Sequence, residues 1–105
     1  MDAQLKKGFL EFCVLAALKD ADSYGYQIVK DVSTCIEISE STLYPILKRL
    51  ETSQQVSTYS VEHNSRLRKY YQITDKGIGQ INRFLEDWDE IEKIYKFIKG
   101  DKEDE

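Results

Sequence analysis

Cysteine and histidine are scarce in this sequence. The two cysteines, Cys13 and Cys35, lack metal-type spacing, and the single histidine, His63, is near neither. No metal centre is expected, and the thiols read as idle groups of a reduced, intracellular protein. Long hydrophobic runs are missing too. The best candidate, residues 9–18, is too short to span a bilayer and carries Glu11. Asp2, Lys6, Lys7 and Glu11 charge the N-terminal stretch, so a signal peptide is not expected and the cytoplasm is the expected location. The sequence has no internal repeat, glycine-rich phosphate loop, ligand cluster or Ser/His/acid set. Neither an enzyme activity nor a cofactor is expected.

Positive charge is scarce overall but not evenly so. The chain has 105 residues, which suits a single domain, and a formal net charge of −4. Residues 1–40 sum to −3, residues 41–83 to +4, and residues 84–105 to −5. An acidic total speaks against nucleic acid, but the basic middle third suits an oriented DNA-binding surface.

The centre of that basic third is residues 39–51. Ser39 is a good N-cap, and Glu40 falls in the first turn, where the helix dipole favours a carboxylate. Leu43, Ile46, Leu47 and Leu50 share one face at helical spacing. The opposite face carries Ser41, Pro45, Lys48 and Thr52, flanked by Thr42, Tyr44 and Arg49. Hydroxyls and cations without an acid are what a helix laid in a major groove needs. An ordinary amphipathic surface helix is the alternative. Pro45 is a local conflict, because it removes one backbone bond.

The flanking stretches complete a pattern. Residues 4–19 read as a helix with two apolar stripes, Leu5, Phe9, Phe12 and Ala16, and Leu10, Val14, Ala17 and Leu18. Such a helix wants cover on more than one side, from a partner chain or from its own domain. Residues 24–33 read as a second helix with Ser23 as N-cap. Gly25 in its first turn marks either a close approach or fraying. Residues 56–61 and 68–73 read as strands around a polar turn, 62–66, in which Asn64 can take a left-handed conformation. A hairpin placed after a helix-turn-helix is a wing. Its Asn64, Ser65, Arg66, Arg68 and Lys69 suit phosphate or minor-groove contact. Thr74 or Asp75 caps a last helix over residues 76–99. In it Phe84, Trp88, Ile91, Tyr95 and Ile98 repeat with coiled-coil-like spacing, and a second subunit is the natural cover for them.

The expected architecture is mainly α: a winged helix-turn-helix of three helices and a two-stranded wing, plus a long C-terminal dimerisation helix. Residues 1–75 form the DNA-binding part, including the first, dimerising helix. Residues 76–99 form the dimerisation helix, and residues 100–105 an acidic, disordered tail.

Four stretches in order then resemble the PadR family of bacterial transcriptional regulators. They are Lys7-Gly8-Phe9-Leu10-Glu11, Tyr24-Gly25-Tyr26-Gln27-Ile28, the whole of 39–51, and the run from Arg68 to Gly77. The resemblance covers roughly residues 7–98. It implies a homodimer, joined through its first and last helices, that binds double-stranded operator DNA, usually as a repressor. The wing tip His63-Asn64-Ser65 lacks the glycines common in the family, and Ser41 stands where glycine is frequent. Lys48 and Tyr44, with Ser41 and Thr42, would enter the major groove, and Arg49 on the flank would also bind DNA. Two-fold symmetry would then set half-sites ~34 Å apart or a multiple of that. Trp88 resembles the tryptophan of multidrug-sensing members. It would clamp a planar aromatic effector against its symmetry mate, lined by Phe9, Phe12, Phe84 and Ile91, with Asp87 and Asp89 supplying negative charge. Plain dimer packing is the other role open to Trp88. The competing function is a winged-helix module that binds protein rather than DNA.

Overall fold

A computed structural model describes residues 1–101. The elements run α1 (Ala3–Ala17), β1 (Ser23–Tyr24), α2 (Gly25–Val32), α3 (Glu40–Thr52), β2 (Val56–His63), β3 (Arg66–Ile73) and α4 (Asp75–Lys99). The expected helices and hairpin all form. The tail beyond residue 101 lies outside the described residues.

The core is built where the apolar stripes meet. Leu10, Val14, Leu15 and Leu18 of α1 and its end pack on Ile28 and Val32 of α2 and on Leu43, Ile46, Leu47 and Leu50 of α3. Val56, Tyr71 and Ile81 close the cluster from the sheet and from α4. So α1 spends its second stripe on its own domain. The first stripe, with Leu5 and Ala16 exposed and Phe9 and Phe12 half-buried, is the one left for other company.

Caps fix the helix ends. Asp2 accepts the Leu5 N–H at 3.2 Å, so α1 starts slightly earlier than its periodicity suggests. Ser39 caps α3 through the Thr42 N–H, and Thr74, not Asp75, caps α4 through the Gly77 N–H. The end of α3 is a Schellman arrangement without glycine. Gln54 takes φ 64°, its N–H reaches the Glu51 carbonyl, and the Gln55 N–H reaches the Leu50 carbonyl. Gly100, with φ 98°, closes α4 and belongs to the cap rather than to a tail.

Two expectations need correction. Ser23 is not an N-cap. It sits in β1 and pairs with Tyr71 of β3, while Tyr24 takes the cap position without a side-chain bond. The sheet therefore has three strands, ordered β1-β3-β2, not two. A two-residue strand carries no periodicity, so nothing in the sequence marks it. The wing is also longer than expected. His63 pairs with Arg66, and the turn is only Asn64 and Ser65, with φ 51° and 65°. Two successive left-handed residues make the hairpin turn whose twist matches that of the strands. Asparagine and serine serve in it where glycine is common.

Gly25 marks a close approach rather than fraying. A Cβ there would fall 2.5 Å from the Tyr44 hydroxyl, so α2 and α3 touch at that point. Gly77 is tighter still, since its Cβ would strike the Gln55 carbonyl and the Ile73 side chain.

Candidate nucleic-acid interface

Burying Leu43, Ile46, Leu47 and Leu50 turns the other face of α3 outward. Ser41, Thr42, Tyr44, Pro45, Lys48 and Arg49 are all exposed. Ser39 organises the start of this face, accepting from the Thr42 N–H and lying 3.2 Å from the Thr42 hydroxyl. Lys48 makes no ion pair among the described residues and stands free over the surface. Arg49 is partly engaged, its Nε donating to Glu11 on α1 at 3.4 Å. Pro45 leaves α3 unbroken.

The wing is anchored to this helix by its root. Tyr59 of β2 donates its hydroxyl to Asp22 at 2.6 Å and stacks on Tyr70 of β3. The hydrogen bond to that carboxylate is the first cause raising the Tyr59 phenol above its ordinary value. Tyr70 in turn meets Tyr24 edge-on, and the Arg68 guanidinium lies 4.0 Å over the Tyr24 ring. Lys69 reaches Glu51 at 3.7 Å and lies over Tyr71, whose phenol burial pushes up. Arg68 and Lys69, two of the strand's three basic side chains, are thus held by rings. A fixed cation loses less conformational freedom when it meets a phosphate.

The proposed DNA-contacting residues fall into three groups, of which the first is Ser41, Thr42, Lys48 and Arg49 on the outer side of α3. Tyr44, Arg68 and Lys69 gather around one cleft of about 490 Å³ between α2, α3 and the wing root, together with Tyr24, Gly25 and Tyr26. Asn64, Ser65 and Arg66 stand at the exposed tip, where Arg68 shares a further cleft with Asn64 and Arg66. Tyr24, Tyr26 and Leu67 also reach this surface, with no local pattern in the sequence to mark them. Leu67, 77% exposed at the tip, is an apolar group offered to solvent. It shares a strand face with the buried Tyr71, but it lies four residues out along the wing, past the reach of the core, so alternation alone does not give its exposure.

The residues assigned to an effector are brought together by packing α4 on α1. Phe84 stacks on Phe12 at 4.6 Å and meets Phe9 edge-on at 6.1 Å. Trp88 follows one turn on, 6.2 Å from Phe84 and 46% exposed, with Ile91 half-buried beyond it. Asp87 and Asp89 are exposed on either side. The thiols lie elsewhere. Both cysteines are free, and burial, then the neighbouring Cys35, raises the Cys13 thiol above its ordinary value. No three His, Cys, Asp or Glu side chains gather to hold a metal ion among the described residues. Nor is any helix among them long and apolar enough to cross a membrane.

Three core helices, a short strand leading into the second, and a basic hairpin beside an exposed polar helix define a winged helix-turn-helix protein. Residues 14–83 match the transcriptional regulator PadR-like family. The chain belongs to that family. It is 30% identical over 100 residues to an uncharacterised protein of Lysinibacillus sphaericus, covering 90% of this chain and 92% of that one. A PadR-like transcription factor from Bacteroides fragilis is 31% identical in sequence. It superposes with a TM-score of 0.80 over 91% of this chain and 95% of its own. The Bacillus subtilis PadR in complex with operator DNA shares the fold, with a TM-score of 0.69 and 22% identity. That match covers 73% of this chain and 46% of that one.

Proposed function

We propose that this DNA-binding transcriptional regulator is a cytoplasmic homodimeric repressor that lays α3 in the major groove of a palindromic operator. The observation that carries the reading is the outer face of α3, which offers hydroxyls, Tyr44 and an unpaired Lys48 beside a ring-held basic wing. Ser41, Thr42, Tyr44 and Lys48 meet base edges and nearby phosphates. Arg49 lies on the flank. Arg66, Arg68 and Lys69, with Asn64 and Ser65, hold the backbone beside the groove. The operator-bound Bacillus subtilis PadR of the same fold supports this arrangement.

Dimerisation uses the face that the domain leaves uncovered. Phe9 and Phe12 of α1 adjoin Phe84 of α4, Leu5, Trp88 and Tyr95 are exposed on the same two helices, and Phe97 and Ile98 are 84% and 77% exposed. Contiguous large apolar side chains of this kind mark an association surface. Residues 1–75 then serve as the DNA-binding part and 76–99 as the dimerisation helix. An effector, if planar and cationic, stacks between Trp88 and its symmetry mate, and Asp87 and Asp89 attract it. It releases DNA only by favouring one spacing of the two α3 helices over another. The joint that would carry such a shift is compact. The Thr74 N–H donates to the Gln55 carbonyl at 3.0 Å, and its hydroxyl donates to the Gln54 carbonyl at 2.7 Å, tying the start of α4 to the end of α3.

The test of DNA binding is fluorescence anisotropy with a duplex from the promoter of the protein's own gene, at two salt concentrations. Tight binding that weakens steeply with salt supports the reading. Equal, weak binding to promoter and random duplex rejects it.

A further inference from the structure

The two flanks of α3 are not alike. A helix with its side chains is about 10–12 Å across, and the major groove of B-DNA is about 12 Å wide. A helix lying in that groove therefore has a sugar–phosphate strand on each side. The wing supplies cations on one flank only. On the other, α3 faces the first turns of α1 across a second cleft of about 490 Å³. Lys6 and Lys7 of α1, the N-cap Ser39, and Thr42, Pro45 and Arg49 of α3 line it. Its floor is the buried Leu10 and Ile46, so it is a groove with an apolar base and a basic rim.

The charges favour an anion. Lys6, Lys7 and Arg49 stand against Glu37 in the lining and Glu11 beside it. Arg49 satisfies Glu11 through Nε alone, which leaves its terminal nitrogens for another partner. Neither Lys6 nor Lys7 makes an ion pair among the described residues. The Ser39 and Thr42 hydroxyls lie at the same rim as the exposed groove face.

We propose that this cleft is a second backbone clamp, in which Lys6 and Lys7, with Arg49 behind them, hold phosphates of the strand on the far side of α3 from the wing. The inference rests on the reading of α3 as the groove helix. It gives α1 two tasks on one rigid rod. Its first turns grip DNA, and Phe9 and Phe12, a turn further on, pack against Phe84 of α4. The grip on the backbone is thus joined to the dimerisation face without passing through the wing.

The experiment measures the salt dependence of binding to the promoter duplex and to a random duplex of equal length. Wild type, Lys6→Gln/Lys7→Gln and Lys6→Arg/Lys7→Arg are compared. Each phosphate contact contributes about 0.9 to the slope of log affinity against log salt. The glutamine pair is expected to lower the slope by about 2 on both duplexes and to leave their affinity ratio unchanged. The arginine pair is expected to restore the wild-type slope. A glutamine pair with the wild-type slope overturns the clamp, while salt-sensitive promoter binding by wild type keeps the groove reading. Wild type that does not distinguish promoter from random duplex overturns the groove reading itself. An arginine pair that behaves like the glutamine pair also overturns the clamp, because charge then does not explain the loss.

Discussion

The two ends of this molecule expose opposite kinds of side chain. Around α3 and the wing, Val61 and Leu67 apart, the outward groups are mostly polar side chains, tyrosines and cations, several of them held by a neighbour: Thr42 by Ser39, Arg68 by Tyr24, Lys69 by Glu51. Along α4 the outward groups include Leu85, Trp88, Ile94, Tyr95, Phe97 and Ile98, and no other element among the described residues covers them. Water solvates the first surface without loss, so its residues are free to be chosen for DNA. The second surface costs free energy until something apolar lies on it. One end is built to wait for a partner, and the other needs one.

The comparison can be broken at either end. The largest effect is expected from Ile91→Glu, which sets a carboxylate in the middle of the α4 seam. In the proposed dimer, an unpaired charge at that apolar interface should cost association about 3 kcal/mol or more, read by sedimentation equilibrium. The isolated winged helix should keep its far-UV circular dichroism. Next comes Gly77→Ala, at the joint between the two ends. The added methyl meets the Gln55 carbonyl and Ile73, and up to about 3 kcal/mol of stability should be lost, read by urea denaturation. Lys48→Ala acts at the DNA end alone. It should leave the dimer intact and cost roughly 1–3 kcal/mol of operator affinity, read by anisotropy, with relaxed preference at one base position. The smallest change is a gain. Gln54 holds a left-handed conformation that glycine adopts freely, so Gln54→Gly should raise stability by about 0.5–1 kcal/mol, read as a higher melting temperature.

Periodicity made most of this fold legible. Leu43, Ile46, Leu47 and Leu50 gave the buried face of α3, and the polar face follows by subtraction. The same logic proposes a seam along α4, where Trp88, Tyr95 and Ile98 are exposed, although Leu85, Ile94 and Phe97, off the heptad spacing, are exposed too. What stayed hidden was short or non-local. Strand β1 has two residues and exists only because Tyr70 and Tyr71 lie beside it. The ring system Tyr59, Tyr70, Tyr24 and Arg68 joins residues far apart in sequence, so no local pattern shows it. The basic rim of Lys6 and Lys7 was hidden for the same reason: it becomes a cleft only when α1 is laid against α3. The turn at Asn64 and Ser65 was half legible. Asparagine suggested a left-handed residue, but serine at φ 65° is set by the pairing of His63 with Arg66.

The central claim is that one end reads DNA while the other pairs two chains, so that both halves of a symmetric site are read together. The mass of the protein–promoter complex, measured by light scattering after gel filtration, tests it directly. Two chains per duplex are expected for wild type, falling to one or none for Ile91→Glu at the same concentration. A single wild-type chain on the duplex, or two chains retained by Ile91→Glu, would contradict the account.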